Sequence, residues 1–451
     1  MNSTDVGQLE ALLSAALQNV VFRRGSAEQL SRDQFRQVLE QGRRAFALGT
    51  RLLILTFTPT ISDPNLNEEL LSFVGAKLSE YSRNGQIQSA TFAFAGGMVG
   101  GSSVGRIVEN LLRRVVLDGP RVTAQAFAEC AANVSCSHYK YLLLPDISVE
   151  APVELLPGVS VLPLPKTVAD LPPHLPTLDS NGTTPNHPTR ADLLGRSLLR
   201  LKFDVSPVFH KPEESYTLES GPEEHFTVKH SDGVEIDSDT LWQALSVACR
   251  RNVRSVMTWH SLADYEIYDL GSYPGVGASG WSLTGGALPF EDPTPVRGSQ
   301  LENVETIYKA IQELPNETWA KLRIPVDRWM KSMEQDNPID QLIDLGIALE
   351  SLYVPEAQSE ITFRFALHAA WHLGESASER MKLREEFQEI YRARSDAVHA
   401  GQLRGRRGKP SFDVEGFVAR AQDLCWQGIS DVIEAGEIPD WDILIVGKDG
   451  E

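Results

Sequence analysis

An arginine inside the apolar stripe of a helix is the feature that most constrains this chain. Residues 381–398 carry apolar side chains at helical spacing, and Arg394 falls in the middle of that stripe. A guanidinium keeps its proton, so burying it without a partner is unfavourable. Arg394 therefore either pairs with a carboxylate or faces a cleft in which an anion binds.

A histidine follows near the end of the same predicted helix. Gly401 is placed to end the helix in the left-handed conformation, which puts His399 in or near the last turn. There the helix dipole favours the imidazolium form, and Asp396, one turn earlier, is a candidate contact for the ring. An arginine that holds a phosphate and a titratable imidazole are the groups needed to cut a phosphodiester.

The spacing of these two residues poses a geometric problem. On an ideal helix, side chains five positions apart diverge by about 140°. Either the helix loosens near Gly401, or Arg394 and His399 meet across a symmetric dimer.

A second charge lies inside the apolar arc of the predicted helix 338–354. Its polar side is set by Asp340, Asp344 and Ser351, whereas Glu350 falls among the apolar residues. We expect Glu350 and Arg394 to face each other in a helical bundle. Such a pair is weak evidence for stability, and its better use is to hold the guanidinium in one orientation. A clamp that merely fixes helix register is the alternative.

The chain carries a net charge of −19, which argues against a broad nucleic-acid-binding face. Basic residues nevertheless cluster around the Arg394–His399 segment, and a local patch of this kind can hold a short piece of RNA. The candidate RNA-binding residues are Arg392, Arg404, Arg406, Arg407 and Lys409.

The remaining composition is that of an ordinary protein without membrane spans. No apolar run is long enough to cross a bilayer, and the first ten residues lack the basic end and apolar core of a signal peptide. We therefore expect a cytoplasmic protein without a membrane partner. Two groups have a weak resemblance to metal sites, Cys130 with Cys136 and His138, and His368 with His372. Ordinary packing is favoured for both, so neither a metal nor a cofactor is expected.

The chain is long enough for several domains, and its pattern indicates a multidomain α+β fold. Residues 1–146 alternate predicted helices and strands, which indicates an N-terminal α/β layer. Residues 147–299 form a predicted β-rich middle domain, with a long Pro-rich loop at 164–189 and one helix at 241–259. Residues 300–451 are predicted to be all-α, with helices at 300–313, 318–333, 338–354, 360–373, 381–398 and 414–435.

A glycine-rich loop at residues 96–105 lies between a predicted strand and a predicted helix. This arrangement can cradle a phosphate on the amino end of the helix. The loop lacks the Gly-Lys-Ser/Thr ending and the dinucleotide glycine spacing, so a tight or mobile connection is the alternative.

The run Arg394-Ser-Asp-Ala-Val-His399-Ala-Gly401 resembles the Arg-x4-His signature of HEPN domains, particularly the ApeA-like branch. The Ala-Leu-Glu segment that ends at Glu350 is similar to that branch too, as is the tail around Trp441 and Gly447. The resemblance covers roughly the last quarter of the chain. The family's usual glycine directly after the histidine is displaced here by Ala400.

The resemblance implies a C-terminal HEPN helical bundle that dimerises and acts as a metal-independent endoribonuclease in anti-phage defence or as a toxin. Transfer RNA is a candidate target. Arg394 and His399 would cut the RNA at the dimer interface, with Glu350 orienting the arginine and Asp396 assisting the histidine. The implied partners are RNA, a second copy or a higher even oligomer, and a phage-derived trigger or nucleotide ligand.

Two other functions stay open from the sequence. In one, the bundle is a non-catalytic HEPN module for dimerisation or partner binding, with Glu350 and Arg394 as a register clamp. In the other, the protein is a ligand-gated effector whose N-terminal domain senses a nucleotide through the glycine-rich loop.

Overall fold

The structure is a computed structural model. It describes residues 1–24, 28–44, 57–90, 99–132, 136–167, 170, 190–205, 227–229, 235–262, 281–283, 292–354, 360–400 and 413–446. Contacts divide the chain into two units, Met1–Ser238 with Arg254–Pro295, and Asp239–Val253 with Val296–Glu451. The fold is mixed, with sheets in the N-terminal half and a helical C-terminal region. The finer division into three domains stays a prediction.

The N-terminal part of the first unit combines helices with two small antiparallel sheets. Its helices are α1 (Ser3–Asn19), α2 (Arg32–Arg44), α3 (Pro64–Lys77), α4 (Val104–Asp118) and α5 (Pro120–Ala131). One sheet has the order β2-β1-β3, from β1 (Val20–Arg24), β2 (Glu28–Leu30) and β3 (Thr58–Ile61). The other has the order β4-β5-β6, from β4 (Ser82–Arg83), β5 (Gln86–Ala90) and β6 (Val99–Ser103). These helices and strands enclose one core, which includes Leu9, Phe22, Leu70, Leu111 and Phe127.

The described part of the predicted glycine-rich loop is a strand. Residues from Val99 to Ser103 form β6 and pair with β5 through backbone hydrogen bonds. The Ser103 hydroxyl then caps α4 by accepting a hydrogen bond from the Arg106 amide. The described part of the loop is thus a strand that leads into a capped helix. Residues 96–98 lie outside the described residues, and the phosphate-binding role stays a prediction.

The rest of the first unit is built on a six-stranded antiparallel sheet of order β15-β14-β7-β11-β10-β9. Its strands are β7 (Cys136–Leu144), β9 (Val153–Leu156), β10 (Val159–Pro163), β11 (Ser197–Val205), β14 (Met257–Leu262) and β15 (Trp281–Leu283). Two short pairs accompany it, β8 (Ile147–Ser148) with β16 (Thr294–Pro295), and β12 (Thr227–Lys229) with β13 (Glu235–Asp237). The short helix α6 (Arg190–Leu193) precedes β11.

Two predictions for this region have opposite outcomes. The hairpin predicted around Pro157 and Gly158 is confirmed by the pairing of β9 with β10, and Gly158 takes the positive φ of 74° that its turn requires. The helix predicted at 241–259 is wrong in its second half, because α7 (Ser238–Cys249) ends at Cys249 and Met257 begins β14. Pairing of β14 with the distant strand β7 decides that conformation.

The second unit is helical. After the segment Asp239–Val253, which holds most of α7, it contains α8 (Gly298–Glu302), α9 (Val304–Glu313), α10 (Asn316–Ser332), α11 (Pro338–Tyr353), α12 (Ile361–Leu373), α13 (Ala377–Ala400), α14 (Val414–Ala435) and α15 (Trp441–Val446). Helix α11 packs against α10, α13 and α14, while α12 and α13 form a hairpin. The predicted helical C-terminal region is therefore confirmed, with α11 at its centre.

Capping residues explain where these helices begin and end. The Asn337 side chain accepts from the Ile339 amide and starts α11. Helix α13 begins at Ala377, four residues before the predicted start, because Ser376 and Glu379 form a reciprocal capping box. Helix α14 ends at Gly436, which adopts the left-handed conformation with a φ of 77°.

Among the described residues, no helix combines the length and apolar character needed to cross a membrane. Cys130, Cys249 and Cys425 are free and buried. The prediction that Cys249 and Cys425 are small buried hydrophobic residues is confirmed.

Candidate functional site

The two misplaced charges meet between α11 and α13. The Arg394 Nη2 donates to the Glu350 Oε2 over 3.1 Å, as the sequence predicted. The two side chains are 26% and 24% exposed, respectively. The pair therefore lies at the edge of the bundle, within reach of solvent.

Gly346 makes the approach of Arg394 to α11 possible. A Cβ built on Gly346 would lie 2.3 Å from the Arg394 Cγ and 3.2 Å from its Cδ. The aliphatic part of the arginine thus lies directly on the backbone of α11, one turn before Glu350. The sequence pattern of this helix assigns Gly346 no role. A glycine inside a helix, one turn from an inward-facing carboxylate, was the available signal.

The guanidinium of Arg394 is incompletely satisfied by Glu350. One nitrogen bonds the carboxylate, while the buried Nε has no hydrogen-bond partner. An arginine presents five N–H donors in a rigid plane, so several remain for another acceptor. Because the Nε is buried, an oxyanion that approaches from the exposed side would bind the Nη groups.

His399 lies on the solvent side of α13 and is exposed. The helix runs without interruption to Ala400, so it does not loosen between Arg394 and His399. The divergence of about 140° therefore persists within one copy. The predicted loosening of the helix is therefore wrong up to Ala400, and the symmetric dimer stays a prediction.

The other predicted site residues are only partly brought together. Asp396 and His399 lie one turn apart on α13, yet within the described residues neither side chain forms a hydrogen bond. Both reach solvent, where water competes for the carboxylate. Arg392 is exposed on the same helix. The remaining candidate RNA-binding residues lie outside the described residues, namely Arg404, Arg406, Arg407 and Lys409.

Asp344 does not lie on the polar side of α11 as predicted. Its side chain is 7% exposed and accepts from the Arg328 Nη1 over 2.8 Å. The Gln335 amide donates to the other carboxylate oxygen over 3.2 Å. The prediction failed because α10 covers this side of α11 and brings a counter-charge that the periodicity of α11 alone does not reveal.

His368 and His372 are engaged with Tyr353, at the carboxyl end of α11. His368 Nδ1 lies 2.7 Å from the Tyr353 carbonyl oxygen, and the Tyr353 hydroxyl lies 3.1 Å from His372 Nδ1. Trp441 stacks on the His368 ring. Burial lowers the pKa of His372 to about 4, so the ring is neutral at neutral pH. The two histidines thus pack against Tyr353 and Trp441, which is the alternative that the sequence favoured over a zinc site.

The comparisons with known proteins give no relative for this chain. No family model, no curated protein and no solved structure matches it. The resemblance to HEPN domains therefore depends on the residues of the Arg394 and Glu350 segments themselves.

Proposed function

We propose that the helical region is a HEPN-type, metal-independent endoribonuclease that acts as a homodimer in anti-phage defence. The observation that carries the proposal is the ion pair of Arg394 with Glu350, called the open pair here because it leaves guanidinium donors unused. Its guanidinium is fixed by Glu350 and Gly346 at the bundle edge, and keeps donors for an anion. The anion we expect is a phosphodiester, because its cleavage needs a group that transfers protons, and the His399 imidazole lies on the same helix.

A twofold axis resolves the divergence of Arg394 and His399. With α13 viewed along its axis, the two side chains lie about 70° on either side of a common bisector. When two copies of α13 lie side by side with their bisectors pointing at each other, a twofold axis parallel to the helices puts each Arg394 on the same side as the partner's His399. Val398, which is 49% exposed, lies about 30° from the bisector and provides an apolar contact for the second copy.

The reaction follows from these groups. The 2′-hydroxyl of the RNA attacks the neighbouring phosphorus, the new O2′–P bond forms, and the P–O5′ bond breaks. One His399 takes the proton of the 2′-hydroxyl, and the second copy's imidazole supplies a proton to the leaving 5′ oxygen. Arg394 stabilises the charge that grows on the phosphate oxygens. This chemistry leaves a 2′,3′-cyclic phosphate and a 5′-hydroxyl, and it uses neither a metal ion nor an external nucleophile.

The resemblance to ApeA-like HEPN domains supports the cellular role. It suggests transfer RNA as the target and a phage-derived signal as the trigger. A nuclease that damages its own cell has to be restrained, which gives the large first unit a regulatory purpose. The variant in which the glycine-rich loop senses a nucleotide is less favoured, since β6 and the capped α4 occupy its described part.

Expression of variants in a bacterial host tests the proposal. We expect the wild type to be toxic during phage infection and to produce RNA fragments with 5′-hydroxyl ends, whereas Arg394→Ala and His399→Ala are tolerated and still form dimers. Arg420→Ala is the matched control, because Arg420 also pairs with a glutamate of α13, Glu386, but on the far side from the bisector. It should remain toxic.

A non-catalytic dimerisation module is the second candidate, favoured by the tight contact between Gly346 and Arg394. In that case Glu350 and Arg394 only fix the register of α11 and α13. If the wild type and all three variants behaved alike during infection and no RNA were cut, the module would replace the nuclease.

A further inference from the structure

Two arginines of α13 lie over aromatic rings of α12. The Arg380 guanidinium carbon is 4.1 Å from the centroid of the Trp371 ring, and that of Arg384 is 5.4 Å from the Phe363 ring. Phe363 is 47% exposed, although an apolar ring of this size would normally be covered. The seam between α12 and α13 thus carries one exposed pair, Arg384 with Phe363, and one half-buried pair, Arg380 with Trp371.

Charge is segregated around α13. Arg380, Arg384, Tyr391 and Ser395 fall within about 60° of one another on the helical wheel. The acidic residues of α13 lie at least about 110° from the centre of that face, namely Glu379, Glu385, Glu386, Glu389 and Asp396. Of these, Glu386 is used by Arg420 of α14, and Glu379 caps the helix. The aromatic seam is therefore a basic strip, even though α13 as a whole is nearly neutral.

This basic strip points in the same direction as the proposed active site. The centre of the face that holds Arg380 and Arg384 coincides with the bisector between Arg394 and His399, to within the accuracy of an ideal helix. Arg384 precedes Arg394 by a rise of about 15 Å along the axis, a length that a few extended nucleotides span. A strand that followed the seam would arrive between the two catalytic side chains.

We propose that the α12–α13 seam binds the single-stranded RNA that flanks the scissile phosphate, with Arg380 and Arg384 holding phosphates and Phe363 stacking a base. This inference rests on the proposed nuclease function and names the form of RNA that the site accepts. A guanidinium that lies over a ring keeps N–H groups at its edge for a phosphate oxygen. The Arg380 Nε donates to the Gly374 carbonyl over 2.9 Å, so its Nη groups are the ones left for a phosphate. Within the described residues Arg384 has no carboxylate partner, so it offers its full charge.

The strip favours a single strand over a duplex. Phe363 presents a ring at the surface, and rings bind nucleobases by stacking only where the bases are unpaired. A double helix hides the faces of its bases and offers phosphates alone. Stacking also tolerates any base, so the seam contributes affinity with little sequence preference.

Binding of RNA by the full-length chain tests the proposal without the unknown trigger. The probe is a 12-nucleotide, fluorescein-labelled single-stranded RNA of mixed sequence, measured by fluorescence anisotropy in a His399→Ala background that prevents cleavage. We expect Arg384→Ala to weaken binding about tenfold and to reduce the slope of log K against log salt by about 0.7. Phe363→Ala should weaken binding at least fivefold. A duplex of the same sequence should compete poorly.

Lys382→Ala is the matched control. Lys382 is an exposed cation on the same helix, about 170° from the centre of the strip, and it lies near Glu386. Its removal should change affinity less than twofold. Equal losses for Lys382→Ala and Arg384→Ala would overturn the proposal, as would unchanged binding by Arg384→Ala or equal competition by the duplex. Thermal unfolding of each variant shows whether the exposed substitutions leave the fold intact.

The test separates this inference from the proposed function. If the wild type cuts RNA while binding does not depend on Arg384 or Phe363, the proposed nuclease function is kept and the proposed RNA-binding seam is rejected. If binding depends on both residues while neither the purified wild type nor infected cells show cleavage, RNA binding at the seam is kept and the proposed nuclease function is rejected.

Discussion

Helix α11 carries two inward-facing carboxylates, and the difference between their surroundings separates a structural ion pair from a functional one. Asp344 is almost fully buried, and both of its oxygens accept hydrogen bonds, one from Arg328 and one from Gln335. Glu350, less than two turns later, is about a quarter exposed and is bonded by Arg394 through one nitrogen. The first pair is closed, whereas the second leaves donors free.

The physical consequence follows from solvation. A buried carboxylate without partners is strongly unfavourable, so the contacts of Asp344 are needed to keep the bundle folded. Glu350 and Arg394 both reach water, so their pairing contributes little to stability. What the open pair retains is a guanidinium of fixed orientation that can accept a further anion. Breaking each pair should therefore affect different properties of the protein.

Removal of the Arg394 guanidinium should have the largest effect. We expect Arg394→Ala to lower RNA cleavage by about 10³-fold, because the charge that grows on the phosphate loses its main donor. Its free energy of unfolding should change by less than about 1 kcal/mol. Cleavage of labelled RNA and denaturant unfolding measure the two quantities. If the variant lost enough stability to account for the loss of cleavage, Arg394 would have a structural role, like Arg328 in its pair with Asp344.

Breaking the closed pair should do the reverse. We expect Arg328→Ala to lower the free energy of unfolding by about 3 kcal/mol, because it leaves the Asp344 carboxylate buried with a single partner. Cleavage per folded molecule should stay at the wild-type level. Denaturant unfolding of both proteins gives the first value. A stable Arg328→Ala protein without nuclease activity would contradict the distinction between the two pairs.

A methyl group at Gly346 sharpens the comparison, since it tests the open pair without removing a charge. The new Cβ of Gly346→Ala would overlap the Arg394 Cγ, so either the guanidinium leaves Glu350 or α11 and α13 separate. We expect about 2 kcal/mol of destabilisation and a loss of cleavage well beyond that expected from the unfolded fraction. Gly7→Ala is the matched control, because a Cβ there meets nothing within 4 Å. Normal cleavage by Gly346→Ala would show that the orientation of Arg394 is unimportant.

The contact of Tyr353 with His372 offers a smaller, pH-dependent test of a closed contact on α11. Burial holds the pKa of His372 at about 4, below its ordinary 6.5. The unfolded state therefore binds the proton first, and stability is lost as pH falls below 6.5. We expect the free energy of unfolding to fall by about 1 kcal/mol between pH 7 and pH 5.5 because of this group. Asp327 and Asp431, whose pKa values are raised by burial, contribute with the opposite sign at more acidic pH.

Denaturant unfolding across that range, with His372→Gln as the comparison, measures the contribution. The variant should have a shallower dependence on pH than the wild type. The same slope in both proteins would mean that His372 is not held neutral by the bundle.

The sequence predicted the open pair better than the closed one. Glu350 and Arg394 each interrupt an apolar stripe, and a charge in such a place has few ways to be satisfied, so their contact could be deduced. Asp344 appeared to continue the polar side of α11, because one helix viewed alone does not show that α10 covers it. The role of Gly346 was equally hidden, since it depends on which side chain lies opposite.

Local signals predicted helices well and distant pairing poorly. The bounds of α14 agree with the predicted 414–435, because Asp413 and Gly436 are clear capping residues. Helix α5 was missed even though Pro120 stands at its first position, where proline favours a helix start. Strand β14 was mistaken for helix because its conformation depends on pairing with β7, more than 100 residues away.

The account as a whole depends on two copies of α13 meeting near its carboxyl end, where Val398 is exposed, beyond the stretch from Arg380 to Tyr391 that α12 contacts. Oxidative cross-linking of Val398→Cys in a Cys136→Ser background tests that contact directly, because Cys130, Cys249 and Cys425 are buried and should not interfere. We expect Val398→Cys to form a disulfide-linked dimer on a denaturing gel without reductant, while Lys382→Cys on the opposite side of α13 stays monomeric. A cross-linked Lys382→Cys with a monomeric Val398→Cys, or a wild type that is a monomer in solution, would contradict the account.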